Sequence, residues 1–281
     1  MTETPLQFGP QSTLIGILTQ PAREGAPPVA FLTFNAGVIS RIGPHRMNVK
    51  LARALARAGQ TTLRFDLAGQ GDSKRALTDG DFRAQAVQDI RSAMGCLEQA
   101  HGIRRFALIG VCSGAVNAFA AALADPRVAG VLLFDGHWYR SRWTMAVRHW
   151  KRFRATSWAS TSAALLRRLV GRSVGPAAAP LFDGEAEPAN PPRDDFARSV
   201  QALVDRRVVT LFMYSGSVLD YYSYANQFRD VFGREAFFDK VRCEFRPDID
   251  HTFVSLDVQR RMIDSVCAWA AEVCGAADPA A

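Results

Sequence analysis

The amino-acid sequence predicts an α/β fold in which a mostly parallel sheet is covered by helices on both faces. Runs rich in Val, Ile, Leu and Phe recur along the chain between segments with helical periodicity. Such near-continuous apolar runs are typical of strands that are buried on both faces. Of the 281 residues, 48% are hydrophobic and 22% are charged. A chain of this size and composition can bury a sufficient core without disulfides or a metal.

Seven strands and four helices follow from these patterns. Two helices, 49–58 and 81–100, end near Gly59 and Gly102, and glycine often follows the last helical turn. The other two helices are expected at 116–124 and 257–273. The strands are expected at 13–18, 29–34, 62–66, 106–109, 130–134, 208–214 and 241–245.

Residues 137–206 interrupt the alternation of strands and helices. Residues 143–153 have apolar positions at helical spacing, whereas 176–192 are rich in Pro, Gly and Ala and are expected to form a loop. We therefore predict a helical lid insertion at 137–206 over the carboxyl edge of the sheet, with a core made of residues 1–136 and 207–281.

The charge of the chain is concentrated in this insertion. Between His137 and Arg172 there are nine basic and no acidic residues, whereas the whole chain has a net charge of +7. Four of the five tryptophans lie in the same segment. Three interpretations remain open: a surface that attracts anionic substrates, an amphipathic helix whose arginines face water, or a helix that lies on a membrane surface. Because no nucleic-acid-binding module is recognisable, nucleic acid is not an expected partner.

The cysteines and the amino terminus indicate a reduced compartment. The five cysteines lack paired zinc-type spacing and are expected to be free thiols. Residues 1–22 lack the basic start and apolar block of a secretory signal. The apolar run 106–124 is interrupted by glycines and polar residues, which favours a buried strand and helix over a membrane span. We expect a cytoplasmic protein that needs no metal or cofactor.

The strongest motif for chemistry is a G-x-C-x-G turn between the strand at 106–109 and the helix at 116–124. Gly110 and Gly114 flank Cys112, and a turn this tight would bring larger side chains into collision with the strand and the helix. The backbone N–H groups at the start of a helix favour an anion. Cys112 is therefore a candidate thiolate nucleophile.

Here the chain resembles the α/β-hydrolase superfamily, whose nucleophile turn is usually G-x-S-x-G, and within it the serine-aminopeptidase-like hydrolases, including those associated with exosortase systems. Three further segments carry this likeness: Phe-Asn-Ala-Gly at 34–37 followed by Arg-Ile-Gly-Pro-His at 41–45, Phe-Asp-Leu-Ala-Gly-Gln-Gly-Asp-Ser at 65–73, and Asp-His-Thr-Phe at 250–253. Two positions differ from the family. Cys112 replaces the usual serine, as in dienelactone hydrolases, and Asn35-Ala36 replaces the common His-Gly.

The resemblance implies an α/β-hydrolase fold and a catalytic triad. Of the five histidines, only His251 comes late enough in the chain to be the base. Asp220 is the expected acid, with Asp135 as the alternative. The resemblance also implies an oxyanion hole formed by the backbone N–H groups of Ser113 and Gly37, with Ala36 in place of Gly37 if the alignment shifts by one residue. The side chains expected near the substrate are Asn35, Arg41, His137, Trp138 and Trp143.

A cysteine nucleophile favours esters and thioesters, because attack on a thioester is nearly balanced whereas attack on an amide is uphill. The expected activity is therefore hydrolysis or acyl transfer through an acyl-Cys intermediate. Coenzyme A or an acidic acyl carrier protein is the partner that the basic segment would attract. Two alternatives remain, namely a ligand-binding protein without turnover and a lactone hydrolase of the dienelactone kind.

Overall fold

The computed structural model of the protein describes residues 1–22, 29–75, 81–147, 150 and 190–277. The strands in this part of the chain are β1 (Thr2–Phe8), β2 (Leu14–Gln20), β3 (Ala30–Thr33), β4 (Thr61–Phe65), β5 (Phe106–Val111), β6 (Val128–Phe134), β7 (Val209–Ser215) and β8 (Arg242–Arg246). They form one sheet in the order β1-β2-β4-β3-β5-β6-β7-β8. Strand β2 is antiparallel to β1 and β4, and every pair from β4 to β8 is parallel.

Six α-helices lie wholly within the described residues: α1 (Met47–Arg57), α2 (Phe82–His101), α3 (Ser113–Ala124), α4 (Arg193–Asp205), α5 (Gln227–Phe232) and α6 (Leu256–Ala277). One apolar cluster joins Leu108 of β5 to side chains of α2, α3 and α4. A second joins the next residue, Ile109, to side chains of α1 and α6. Because successive strand residues point to opposite faces, helices cover both faces of the sheet, as the sequence predicted.

The predicted fold class is confirmed, and each predicted strand lies within two residues of its observed bounds. The prediction missed β1, in which only Phe8 is buried, so its sequence lacks the apolar run of the central strands. It also missed α4 and α5. Among the described residues, no helix combines the length and the apolar content that crossing a bilayer requires.

The predicted lid at 137–206 lies mostly outside the described residues. Of the two segments singled out within it, 176–192 falls there except for its last three residues, whereas 144–147 and 150 of segment 143–153 are described and helical. The lid as a whole stays a prediction. Its last part, α4, packs with the core, because Phe196 and Val200 are fully buried in the first apolar cluster.

The parallel arrangement brings the carboxyl ends of β3, β5, β6, β7 and β8 to one edge of the sheet. In open α/β sheets, ligand sites lie at this edge. The residues that follow these five strands are therefore the ones to consider for chemistry.

Candidate active site

Cys112 occupies the sharp turn between β5 and α3. Its φ of 55° lies in the left-handed region, which a residue with a side chain rarely adopts. The turn is held on both sides, because Cys112 N donates to Phe134 O at 2.9 Å and Ala115 N donates to Cys112 O at 2.9 Å. The thiol is partly exposed at the first residue before a twelve-residue helix. This is the arrangement that the G-x-C-x-G motif predicted.

The two glycines of the motif are required by close contacts. A Cβ on Gly110 would lie 2.5 Å from Ala115 Cα, and a Cβ on Gly114 would lie 2.6 Å from Asn35 O. Side-chain carbons do not approach other atoms so closely. Gly114 therefore allows the loop after β3 to approach the start of α3, which brings Asn35, Ala36 and Gly37 next to the nucleophile turn.

His251 reaches the site from the loop between β8 and α6. Its backbone N donates to Ser217 Oγ at 2.9 Å, which connects this loop to the end of β7. The carboxylate of Asp250 accepts hydrogen bonds from the backbone N of Thr252 at 3.0 Å and of Val254 at 3.2 Å. Asp250 thus stabilises the turn that carries the histidine.

Asp135, Cys112 and His251 form one chain of side-chain contacts. His251 Nδ1 lies 2.7 Å from Asp135 Oδ2, and Cys112 is close enough to the imidazole to help raise its pKa. The Asp135 side chain is fully buried, and its other oxygen accepts a hydrogen bond from Ser215 N at 2.7 Å. Asp135 is also in the left-handed region, at a φ of 50°. Backbone strain of this kind is concentrated at functional sites.

The contacts of His251 determine its protonation. Burial alone would lower the pKa of the imidazole, but the hydrogen bonds to Asp135 and Cys112 raise it from 6.5 to about 10. His251 is therefore an imidazolium at neutral pH, placed between a buried carboxylate and a thiol. In this arrangement the ring can hold a proton close to the sulfur.

The carboxylate in contact with His251 is thus the alternative, Asp135, and not the expected Asp220. Asp220 follows the short helical turn Gly216–Val218 after β7, where it is exposed. The buried position next to the imidazole is taken by the residue directly after β6. The order nucleophile, acid, histidine along the chain is the same for both candidates.

The loop after β3 lies against the nucleophile turn, but its contact differs from the expected one. Gly37 N, which was expected to be an oxyanion donor, donates to the hydroxyl oxygen of Ser113 at 2.7 Å. Gly37 has a φ of 56°, and a Cβ there would meet nothing within 4 Å. The amide of Gly37 and the hydroxyl of Ser113 therefore form a pair beside Cys112.

Asn35 and Arg41, expected near the substrate, instead support this loop. Asn35 is buried, and its side chain donates to Asp66 Oδ1 at 3.2 Å and accepts from Leu67 N at 2.7 Å. The guanidinium of Arg41 pairs with Asp66 and Asp72. Asp66 is fully buried, so these polar partners compensate its lost hydration. The 65–73 segment is thus a structural turn.

The other three expected lining residues follow β6. His137 is buried with its ring against Phe119 and Phe196, at centroid distances of 5.3 and 5.2 Å. Burial lowers the pKa of His137 to about 4, so this imidazole is neutral. Trp138 stacks on Tyr221 with ring centroids 4.1 Å apart. The remaining residue, Trp143, is half-exposed.

The chain belongs to the family of proteins with the alpha/beta hydrolase fold, because the sequence profile of this family matches residues 41–206, more than half of the chain. A search among curated proteins gave no significant match.

Solved structures with this fold cover nearly the whole chain. An esterase from Pyrococcus furiosus is 12% identical, with a TM-score of 0.59 over 97% of this chain and 91% of that one. An esterase domain from Rhodothermus marinus is 17% identical, with a TM-score of 0.56 over 96% and 98%. A proline iminopeptidase from Mycobacterium smegmatis is 15% identical, with a TM-score of 0.57 over 99% and 100%. At these identities the likeness is one of fold.

Proposed function

We propose that the protein is a hydrolase or acyltransferase that cleaves an ester or thioester through an acyl-Cys112 intermediate. The observation that supports this most is the placement of a partly exposed Cys112 beside an imidazole that contacts a buried carboxylate. A nucleophile, a base and a group that orients the base are the three parts required for covalent acyl transfer. Cys112, His251 and Asp135 are assigned these roles.

In the first half of the reaction, the thiolate of Cys112 attacks the acyl carbonyl carbon and forms a C–S bond. The carbonyl oxygen becomes an oxyanion, which backbone N–H groups at the start of α3 stabilise. When the oxyanion collapses, the bond to the leaving alcohol or thiol breaks, and the leaving group takes the proton of the His251 imidazolium. A neutral imidazole and an acyl-Cys112 thioester remain.

In the second half, neutral His251 removes a proton from water or from an amine, which then attacks the thioester carbonyl. The C–S bond breaks, and the sulfur leaves as the thiolate paired with imidazolium. Asp135 keeps Nδ1 protonated throughout, so that the other ring nitrogen is the one that exchanges protons. Thioesters react readily with amines, which is why transfer to an amine is proposed alongside hydrolysis.

Aromatic and cationic side chains at the same edge support a thioester of coenzyme A or of an acyl carrier protein as substrate. The guanidinium of Arg140 lies 5.7 Å from the ring centroid of Trp138, in the stack that Trp138 forms with Tyr221. Arg140 is exposed, so its charge faces the solution from which an anionic substrate would approach. The branch of the family proposed from the sequence, serine-aminopeptidase-like hydrolases, rests on the motifs alone.

Intact-mass spectrometry tests the proposed intermediate. We expect incubation with p-nitrophenyl acetate or an acetyl thioester to add one acetyl group to the wild-type protein and none to Cys112→Ala. Cys96→Ala is the matched control, because burial raises the pKa of the Cys96 thiol and makes it a poor nucleophile. A folded wild-type protein that forms no adduct and turns over no ester would contradict the proposal and favour the ligand-binding alternative.

Steady-state kinetics tests the proposed substrate class. Arg140→Gln is expected to raise KM for an acyl-CoA by about threefold, the size of one exposed charge interaction, and to leave KM for the matching N-acetylcysteamine thioester unchanged. The second substrate lacks the phosphates of coenzyme A and therefore serves as the control. If the wild type and Arg140→Gln had the same KM for the acyl-CoA, Arg140 would have no part in substrate recognition.

A further inference from the structure

The hydroxyl of Ser113 occupies the position between the loop after β3 and the nucleophile. It accepts the hydrogen bond from Gly37 N at 2.7 Å, within the range of a strong N–H···O bond. A hydroxyl group has one proton to donate and two lone pairs to accept with. The bond from Gly37 uses a lone pair and leaves the proton. Among the described residues, the Ser113 hydroxyl makes no hydrogen bond as a donor.

This contact changes how the oxyanion can be held. The N–H of Gly37 already has an acceptor, so its proton does not point freely into the site. The Ser113 hydroxyl, in contrast, belongs to the residue directly after Cys112 and is only partly buried. Accepting a hydrogen bond also polarises the O–H bond and makes it a better donor.

On these grounds, and resting on the proposed acyl-Cys112 chemistry, we propose that the Ser113 hydroxyl is a catalytic residue that donates a hydrogen bond to the oxyanion. Ser113 then supplies two donors, its backbone N–H and its side-chain O–H. Gly37 becomes a positioning residue, which orients the hydroxyl through the bond to its oxygen. No proton is transferred, because the hydroxyl only shares its hydrogen with the oxyanion while the C–S bond forms and the leaving group departs.

Two reactions of the same thiolate separate this role from a structural one. Acetylation by p-nitrophenyl acetate passes through an oxyanion. Alkylation of Cys112 by iodoacetamide is a displacement at a saturated carbon and forms no oxyanion. A lost oxyanion donor therefore slows acetylation only, whereas a displaced Cys112 or His251 slows both reactions.

We expect Ser113→Ala to lower the acetylation rate by about 10²-fold, the cost of removing one oxyanion donor, with the alkylation rate and KM unchanged. Ser113→Thr keeps the hydroxyl and is expected to retain most of the acetylation rate. Both rates are followed by intact mass on protein whose fold is checked by circular dichroism.

Three outcomes would overturn the inference. Acetylation of Ser113→Ala at or above the wild-type rate would show that the hydroxyl only blocks the Gly37 amide. A parallel fall in acetylation and alkylation would assign Ser113 a structural role. A Ser113→Thr variant as slow as Ser113→Ala would mean that the hydroxyl is not what acts. Wild-type protein that is alkylated but never acetylated would instead refute the proposed function, and this is seen before any Ser113 variant is made.

Discussion

Replacing Asp135 by Asn tests the assignment of the acid most directly. The carboxylate accepts two hydrogen bonds of 2.7 Å, one from Ser215 N and one from protonated His251 Nδ1. An amide has only one oxygen, so its NH₂ group must face one of these two nitrogens. If the oxygen stays with Ser215, the NH₂ group favours the tautomer of His251 that carries its proton toward Cys112, and that tautomer cannot act as a base.

The size of the effect follows from this geometry. In triads of this kind the loss of the buried acid lowers kcat by about 10⁴-fold, or about 5.5 kcal/mol of transition-state stabilisation. The variant also replaces the charge-assisted hydrogen bond between Asp135 and the imidazolium by a neutral one, which costs on the order of 1–3 kcal/mol of folding free energy. We expect kcat/KM for p-nitrophenyl acetate to fall by about 10³–10⁴-fold, together with a measurably lower Tm.

Asp220→Asn is the matched control, because it makes the same chemical change at an exposed position after β7. We expect its kcat/KM to stay within about threefold of wild type, the scale of an exposed charge interaction. The assay is steady-state hydrolysis with both variants under identical conditions. A large loss in Asp220→Asn combined with near-normal activity in Asp135→Asn would refute the assignment drawn from the contact with His251.

Three further predictions concern stability. Gly110→Ala should destabilise the fold by about 3 kcal/mol or more, because the new Cβ meets the backbone of Ala115 at 2.5 Å. Gly95→Ala is the control in α2, where the new Cβ meets no atom within 4 Å, and it should stabilise the fold by about 0.5–1 kcal/mol. Urea unfolding measures the free energy of unfolding of both variants, and an equal change in the two would contradict the clash at Gly110. The lowered pKa of His137, about 4, means that stability is lost as pH falls from 6.5 through 4, by at most about 3 kcal/mol. His137→Phe should flatten that part of a Tm-against-pH curve, and an unchanged slope would be inconsistent with a buried neutral ring. The raised pKa of His251, about 10, has the opposite sign, so its contribution is complete below pH 6.5 and is lost as pH rises through 10. His251→Gln should therefore lose less stability than wild type between pH 7 and pH 10, and an identical loss would disprove the pairing.

The sequence predicted the parallel part of the sheet well because its strands are buried on both faces. Strand β6, for example, is buried at every residue from Val128 to Phe134, and such a run has few other interpretations. Strand β1 pairs along its whole length with β2 but is exposed at most positions. Its stability comes from backbone pairing at the edge of the sheet, which leaves little trace in composition.

The candidate site was predictable where one short segment determines the geometry. The nucleophile turn is such a segment, since Gly110, Cys112 and Gly114 define it together. The acid is different, because the partner of His251 depends on which of two strand ends points its carboxylate inward. A local signal existed in Phe134-Asp135-Gly136, where a charged residue directly ends a fully buried strand. The contact between Gly37 and Ser113 joins residues 76 positions apart and has no local signal.

The position of Asp135 at the end of β6 has a consequence for protein engineering. The segment after β7 need not carry the proposed acid. It supports the loop that carries His251 through the hydroxyl of Ser217, which accepts a hydrogen bond from His251 N, and through Gly216 N, which donates to Ile249 O. Within residues 219–224, Leu219 and Tyr221 are the positions to vary in a directed-evolution library, because Leu219 is half-exposed and Tyr221 stacks on Trp138 at the surface, whereas Tyr222 and Ser223 are buried in the core. Substitution of Leu219 or Tyr221 leaves the proposed proton relay in place, because Cys112, Asp135 and His251 follow β5, β6 and β8.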